Sequence, residues 1–304
     1  MTLTAKLGIA PIAWSNDDLP QLGGDTPLET CLSESRLAGF SGVETGGKFP
    51  KTCQELAPLL EKYGLKLASG WYSGTLLDAD LEAEKDRVLG QLTLFRDCRA
   101  ACIGYGETAG TIQNRQDVPL TKRRTLTDDQ VVAYGRKLTT FAEFCAEQGV
   151  PLAFHHHMGT AIENEHDIDR LMNATGQAVG LLCDTGHLTF AGANPMRVLD
   201  KHGKRVIHVH AKDVRQDVLS GLARDDESFL DAVLKGVFTV PGDGMIDFQA
   251  VVSRFAEIGY EGWFIIEAEQ DPANAPPLEY ARIGHRALGM ALERAGYAIE
   301  GEKR

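Results

Sequence analysis

The feature of the 304-residue sequence that most constrains its fold is a regular alternation of short apolar runs with longer amphipathic segments. Eight short runs rich in β-branched and apolar residues predict strands at 6–13, 42–44, 66–71, 101–105, 151–155, 179–183, 206–209 and 263–266. Eight segments with helical periodicity alternate with them, at 26–38, 53–63, 81–99, 127–148, 165–175, 195–201, 248–257 and 277–295. Such alternation indicates right-handed βαβ units and a parallel sheet.

Residues that start and stop helices agree with this pattern. Thr26 followed by Pro27 predicts a helix start with proline at the first helical position. Thr127 three residues before Gln130 is a capping box ahead of an apolar-periodic run. Several predicted helices end at a glycine just before the next strand, at positions 64, 149 and 259.

Eight units over this length predict one domain, 1–304, folded as a closed (β/α)8 or TIM barrel with its active site at the carboxyl ends of the strands. An open doubly wound sheet is the alternative, and the absence of a GxGxxG motif after the first strand weakens it. Two long loops, 106–126 and 214–244, follow strands four and seven, and the second contains a helix-like piece at 228–235. Such loops either wall the active site or decorate the surface.

Net charge and composition limit the kinds of molecule that this protein is expected to bind and the compartment in which it is expected to lie. The formal net charge is −12, from 31 Lys+Arg against 43 Asp+Glu, which disfavours nucleic acid and anionic membranes as partners. No apolar run is long enough to span a bilayer, and the first residues lack the pattern of a signal peptide, so we expect a cytoplasmic protein. The six cysteines are scattered without a CxxC pair, and we expect all of them to be reduced.

Histidines and carboxylates gather at the predicted strand ends. Six of the nine histidines fall at the ends of three consecutive strands, at positions 155, 156, 157, 187, 208 and 210. Glu44 ends predicted strand two, Asp184 ends predicted strand six, and Glu267 ends predicted strand eight. A single strand-end histidine is usually a core residue, but imidazole and carboxylate from several strands at one level are a ligand set for Zn²⁺, Co²⁺, Mn²⁺ or Fe²⁺.

The predicted metal ligands are Asp184, His210, Glu267 and one histidine of strand five. His210 is favoured over His208, which has the same parity, because it lies nearer the barrel mouth. His155 and His157 are two residues apart on one strand, so their side chains point to the same face and the strand period does not show which of them is the ligand. Cys183 points the other way from Asp184 and is not counted as a ligand.

Four motifs resemble the sugar-isomerase-like TIM-barrel superfamily: 184–187 (DTGH), 208–213 (HVHAKD), 241–248 (PGDGMIDF) and 262–267 (GWFIIE). The resemblance implies one divalent metal held by residues ending strands five to eight. Many relatives carry glutamate on strand five, whereas this chain has three histidines there, and alignment on the strand gives His155 the ligand position.

A narrower resemblance covers nearly the whole chain. Segments 8–20, 23–32, 42–50, 154–160 and 267–272 are similar to the inosose dehydratases of bacterial myo-inositol catabolism. This implies conversion of a polyol ketone, 2-keto-myo-inositol (scyllo-inosose), to a trihydroxycyclohexane-1,2-dione and water. It implies Mn²⁺ or Co²⁺ ahead of Zn²⁺, and glutathione as a cofactor by resemblance only.

That chemistry needs a base for an α-proton, stabilisation of the enediolate, and an acid for the departing hydroxide. Glu44 is the leading base candidate, with orientation of a metal ligand as its alternative role. His187 is expected to contact a substrate oxygen. Lys212 or His157 is the candidate acid, and Lys212 with Asp213 could instead form a structural ion pair.

The expected substrate-binding residues are Trp14, Asn16, Asp17, Lys48 and Trp71. The aromatic residues could instead belong to the core, and the Asn and Asp side chains could cap a turn. An isomerase or epimerase using the same metal site is the main rival function. A DNA-cleaving enzyme is disfavoured by the charge, and a non-catalytic binding protein by the intact ligand set. The sequence leaves a homo-oligomer open.

Overall fold

The computed structural model describes residues 2–301. Its strands are β1 Thr4–Ile9, β2 Gly42–Thr45, β3 Lys66–Gly74, β4 Ile103–Glu107, β5 Leu152–His155, β6 Val179–Asp184, β7 Val206–Ala211, β8 Asp213–Val214, β9 Phe238–Thr239, β10 Gly262–Ile266 and β11 Ala298–Ile299. Strands β1 to β7 and β10 are parallel and pair in sequence order, and β10 pairs with β1 to close the cylinder. The predicted TIM barrel is therefore confirmed, with β10 as its eighth strand.

Helices connect the barrel strands. They are α1 Leu28–Leu37, α2 Cys53–Tyr63, α3 Leu81–Asp97, α4 Asp128–Glu147, α5 Glu165–Ala174, α6 Thr185–Phe190, α7 Pro195–His202, α8 Gln216–Ser220, α9 Phe229–Leu234, α10 Phe248–Glu257 and α11 Pro277–Arg294. The short α6 directly after β6 was not predicted. Within residues 2–301, no helix combines the length and the apolar character that crossing a bilayer requires.

Most predicted helix boundaries hold to within two residues. Thr127 and Gln130 form the expected reciprocal capping box of α4. Gly64 and Gly149 take positive φ angles of 65° and 87° where their helices end, a conformation that glycine adopts without steric cost. The predicted start at Thr26 is wrong: α1 begins at Leu28, its N-cap is Pro27, and no side chain caps it.

The main hydrophobic cluster lies between the barrel and its surrounding helices, and the barrel interior is filled separately. Trp263 of β10 points into the cylinder, where a Cβ on Gly42 would lie 2.3 Å from its Cη2 atom. Gly42 is therefore required by the indole that plugs the lower end of the barrel. The upper, carboxyl end is left for polar side chains.

The two long loops and the segment after β1 form a cap with its own hydrophobic cluster. The loops are joined where Leu120 N donates to Glu227 O (2.8 Å), and Phe229 and Phe238 pack within the cap. The basic run at 122–124 supplies internal anchors: Arg123 pairs with Asp167 (2.8 Å) and Arg124 with Asp78 (2.9 Å). These two arginines are therefore engaged in holding the cap.

The expectation that all six cysteines are reduced is wrong for two of them. Cys53 at the start of α2 and Cys98 at the end of α3 form a disulfide, with Cα atoms 5.6 Å apart. The partners are 45 residues apart in sequence, so only the side-by-side packing of the two helices brings them together. The other four cysteines are free and buried.

Candidate metal and active site

A cavity of about 500 Å³ opens at the carboxyl ends of the barrel strands. Its floor includes His155, His210 and Glu267, and Glu44 and Trp71 line it from β2 and β3. The loop after β4 contributes Thr108, Thr111, Gln113 and Asn114. That loop therefore forms a wall of the cavity, which is the first of the two roles predicted for it, and is not merely a surface decoration.

The four predicted metal ligands converge on this floor. Asp184 Oδ2 lies 3.4 Å from His155 Nε2 and 3.5 Å from His210 Nδ1. Glu267 Oε2 contacts the same His210 Nδ1. Strand register explains the convergence, because Asp184 of β6 pairs with His210 of β7, and His210 in turn neighbours Ile265 of β10. Cys183 faces outward into the main hydrophobic cluster, as expected.

In each of these four side chains a buried polar atom faces its neighbours without a hydrogen bond of normal geometry: His155 Nε2, Asp184 Oδ2, His210 Nδ1 and Glu267 Oε2. Buried polar atoms normally find partners, and several orphaned lone pairs that face one another are the mark of a cation site. Two imidazole nitrogens and two carboxylate oxygens suit a divalent transition metal. The residues therefore fit a single divalent ion. Of the two strand-five candidates, His155 lies beside Asp184 and His210, whereas His157 lies beside Glu269.

Glu44 is held between two imidazoles. Its Oε1 accepts from His208 Nε2 (2.8 Å), and its Oε2 lies 3.1 Å from His210 Nε2. Burial alone would raise the pKa of this carboxyl, but the charge of His210 and the hydrogen bond from His208 hold it well below its usual range. A carboxylate so stabilised is a poor base. Its position behind His210 is the usual position of a group that orients a metal-ligating histidine.

His157 also lines the cavity, and it lies near Glu269, a carboxylate that was not among the predicted site residues. Its Nδ1 donates to Met158 O (3.0 Å), which leaves Nε2 directed toward Glu269 Oε1 at 3.8 Å. Burial opposes protonation of His157, but the neighbouring Glu269 carboxylate outweighs burial and raises the pKa of the imidazole. Glu269 could have been found from its parity, since it follows Glu267 by two residues.

Asp18 is the second carboxylate near this pair. Burial raises the pKa of Asp18, and the negative charge of Glu269 raises it further. The charge of His157 acts in the opposite direction. Gln113, on the loop after β4, also lines the cavity near Asp18. No sequence signal distinguished Gln113, because its place depends on how a long loop folds back over the barrel.

Lys212 and His187 lie behind the floor rather than on it. The Lys212 ammonium is fully buried, 2.9 Å from His187 Nε2 and 3.0 Å from Glu267 Oε1. The alternative of an ion pair with Asp213 is wrong, because Asp213 accepts backbone N–H groups from its own loop, including that of Ile246 (2.9 Å). The structure therefore separates these two neighbours in sequence.

Of the five predicted substrate-binding residues, two line the cavity and three do not. Asp17 and Trp71 line the cavity, and the Trp71 ring stands edge-on to His155 and His157, with centroids 5.3 and 5.4 Å apart. Lys48 does not reach it, because its Nζ is bound to the carbonyls of Gly23 and Thr26.

Trp14 and Asn16 also lie outside the cavity lining, in the structural roles that were their alternatives. Trp14 is a core residue whose indole N–H donates to Glu34 (2.6 Å). Asn16 Oδ1 accepts from the backbone of Asp18 and Leu19 and caps a turn. Across the described residues that line the cavity, none is a lysine or an arginine.

Comparison with known proteins agrees with this architecture. The family model described as "Xylose isomerase-like TIM barrel" matches residues 32–289. The chain belongs to the xylose isomerase-like TIM-barrel family, a class in which the active site stands on the carboxyl ends of the strands.

Curated relatives define the branch more narrowly. The chain is 44% identical to the inosose dehydratase of Geobacillus thermodenitrificans, over 91% of this chain and 93% of that protein, and 43% identical to that of Bacillus thuringiensis, over 96% and 98%. By these relatives the protein is an enzyme of the dehydratase (hydro-lyase) type. It is also 50% identical to the rhizopine catabolism protein MocC of Rhizobium meliloti, over 98% of this chain and 91% of MocC.

Solved structures match the fold. IolI, whose crystal structure carries a bound zinc atom, aligns with a TM-score of 0.67 at 16% identity, covering 95% of this chain and 99% of IolI. An L-ribulose 3-epimerase aligns with a TM-score of 0.66 at 19% identity, covering 96% of each chain.

Proposed function

We propose that the protein dehydrates 2-keto-myo-inositol (scyllo-inosose) to 3D-(3,5/4)-trihydroxycyclohexane-1,2-dione and water, using one divalent metal ion. The observation that carries the proposal is the convergence of four orphaned buried ligand atoms beneath a cavity without lysine or arginine in its lining. The names of the curated dehydratases and the zinc of IolI support it.

The reaction removes an α-hydrogen as a proton, leaves an enediolate, and then expels the β-hydroxyl, which departs as water once protonated. The resulting enol tautomerises to the second ketone. His155, Asp184, His210 and Glu267 would hold the ion, which supplies Lewis-acid stabilisation of negative charge on the substrate's ketone oxygen. Mn²⁺ or Co²⁺ is our first choice of metal and Zn²⁺ the second.

Proton transfer falls to His157 in this proposal, with Glu269 as its partner. In the neutral form of His157, donation from Nδ1 to Met158 O leaves Nε2 as the proton acceptor, and the residue lines the cavity. The proton taken by Nε2 would be stabilised by Glu269. The same imidazolium could return it to the departing hydroxyl, so that one residue serves as base and acid. Glu44 would orient His210, the alternative that its contacts support.

The cavity lining favours an uncharged polyol. Hydroxyl and amide groups of Ser73, Thr108, Thr111 and Gln113 can hydrogen-bond ring hydroxyls. A phosphorylated or carboxylated substrate would meet Asp17, Glu44 and Glu269 without a lysine or arginine in the described lining to offset its charge. Trp71 offers an aromatic face or edge to the apolar side of the ring.

A second candidate substrate follows from MocC, which is more similar to this chain than the two dehydratases compared above and is named for rhizopine catabolism. The same metal site could act in rhizopine breakdown. An epimerase reaction at this site would share proton abstraction but return the proton without losing hydroxide.

The test is turnover of purified scyllo-inosose, followed by ultraviolet absorbance of the dione, with rhizopine as the parallel substrate and with glutathione present or absent. Metal-free protein should be inactive, and Mn²⁺ or Co²⁺ should restore turnover. Full turnover in protein shown metal-free by elemental analysis would refute the metal-dependent mechanism. Ring-proton scrambling without dione would indicate the epimerase.

Variants assayed in D₂O at saturating metal separate the roles of Glu44 and His157. Glu44→Gln should bind metal about 10- to 100-fold more weakly, yet exchange the α-proton once metal is saturating. His157→Ala should lose both exchange and dione formation, by roughly 100- to 10,000-fold. If Glu44→Gln loses exchange at saturating metal while His157→Ala keeps it, Glu44 is the base.

A further inference from the structure

Lys212 places a permanent charge directly behind the candidate metal ligands. Its Nζ lies 2.9 Å from His187 Nε2, 3.2 Å from Glu269 Oε2, 3.0 Å from Glu267 Oε1 and 3.6 Å from Asp184 Oδ2. The face of the Phe238 ring closes the remaining side, 4.8 Å from the ammonium. Each of these neighbours offers an electron pair or an aromatic face to the buried ammonium.

The donors around Lys212 are themselves a set of metal-ligating atoms. One ligand atom each from His157, His187 and Glu269 lie within 4.8 Å of one another, and so do atoms from Asp184, His187 and Glu267. These groups are buried, and they adjoin the four-residue set proposed above. Two adjacent ligand sets that share carboxylates are the arrangement of two-metal sites in other enzymes.

We infer that the Lys212 ammonium occupies the second cation position of this site, and that it thereby limits the protein to one divalent ion. It also divides Glu267 between two cations, with Oε1 on Lys212 and the orphaned Oε2 left for the metal. Glu267 is then a ligand through one oxygen only, which keeps coordination positions free for substrate oxygens. Lys212 does not line the cavity, so its role is positioning rather than contact with substrate.

Gly186 leaves the space through which the side chain of Lys212 reaches the second cation position. Gly186 lies in the first turn of α6, and a Cβ there would come within 2.4 Å of Lys212 Cγ and 2.7 Å of both its Cβ and its Cδ. The stem of Lys212 thus passes over the backbone of the DTGH motif in contact with the α-carbon. Thr185 Oγ1 donates to Lys212 O (2.7 Å) and holds the start of that stem.

The inference rests on the proposed metal site, and its test is metal stoichiometry rather than activity. Wild type, Lys212→Ala and Lys212→Met are stripped with chelator, dialysed against Mn²⁺, and their bound metal is measured by elemental analysis. Lys212→Ala opens the position with all acceptors present, whereas Lys212→Met fills it with an apolar chain of similar length. We expect one ion per chain in wild type and in Lys212→Met, and two in Lys212→Ala.

Electron paramagnetic resonance locates the extra ion. Two Mn²⁺ ions that share Asp184 or Glu267 should couple magnetically and broaden the spectrum of Lys212→Ala relative to wild type. Lys212→Ala that binds the same number of ions as wild type would overturn the inference. If wild type itself binds none, the proposed metal site fails, while the difference between wild type and Lys212→Ala still tests Lys212.

The thermal stability of Lys212→Ala provides a second test of the inference. Without the ammonium, the buried carboxylates of Asp184, Glu267 and Glu269 repel one another. Millimolar Mn²⁺ should therefore raise the melting temperature of Lys212→Ala by more than it raises that of Lys212→Met, because a bound ion stabilises the folded state. Lys212→Ala that stays unfolded at every metal concentration also overturns the inference, since the ion should replace the lost charge.

Discussion

Glu107 should make the stability of this protein depend on pH near neutrality. It ends β4 and is almost completely buried, where its oxygens accept from Tyr105 Oη (2.9 Å) and from the backbone of Ala109 (3.0 Å) and Leu77 (3.3 Å). Burial raises the pKa of this carboxyl from 4.5 to about 7, even though these hydrogen bonds oppose the change.

The sign follows from proton counting. Between pH 4.5 and about 7 the folded chain keeps a proton on Glu107 that the unfolded chain has lost, so the free energy of unfolding falls as pH rises through this window. The gap between the two pKa values corresponds to roughly 3 kcal/mol, fully lost above about pH 7. Glu107→Gln cannot ionise and should lack this loss.

The assay is urea unfolding in chelator at several pH values between about 5 and 8.5, for wild type, Glu107→Gln and the exposed control Glu143→Gln on α4. The amide does not reproduce every hydrogen bond of the acid, so Glu107→Gln carries a constant offset. What matters is that its free energy of unfolding minus that of wild type should increase by roughly 3 kcal/mol from the acid to the alkaline end. A flat difference, equal to that of Glu143→Gln, would show that Glu107 is already ionised at low pH and refute the reasoning.

Three further substitutions test the packing of the barrel interior, of the cap and of the cavity wall. Gly42→Ala should cost about 1–3 kcal/mol of stability in a thermal or urea melt, because the new Cβ would meet the ring of Trp263 at 2.3 Å; unchanged stability would argue against an indole in the barrel interior. Phe229→Ala should cost about 3–5 kcal/mol by the same measurement and lower turnover, since its ring packs 5.2 Å from that of His157; a loss of stability with turnover intact would mean that the cap does not position the histidine. Trp71→Ala should raise KM about 2- to 10-fold in steady-state kinetics, because the ring lines the cavity; an unchanged KM would remove it from the substrate contacts.

Much of the candidate site could be predicted because a TIM barrel brings all strand ends to one face. Once the alternation of strands and helices was recognised, Asp184, His210 and Glu267 could be placed together although they are far apart in sequence. The choice of His155 over His157 needed either the resemblance or the coordinates, since both side chains have the same parity. Their different partners, Asp184 for one and Glu269 for the other, are what separates them.

Other features depended on contacts that no local pattern encodes. Lys48 and Trp14 looked suited to substrate binding by residue type, but each is held by backbone or side-chain partners away from the cavity. The Cys53–Cys98 pair depends on how α2 packs on α3. Whether Glu44 takes a proton or orients a ligand depends on the two imidazoles beside it, which come from β7 on the far side of the barrel.

The sequence by itself determined the barrel and the level at which its ligands lie, because strand and helix periods, caps and glycines act over a few residues and repeat eight times. Only the tertiary structure decided which polar groups face one another and which of them line the cavity. The contacts of Glu44, His157 and Lys212 are with neighbours within about 4 Å, which are brought together by closing the cylinder and folding the cap over it. Electrostatic interactions between buried groups depend on distance and on exclusion of water, and neither can be obtained from the order of residues along the chain.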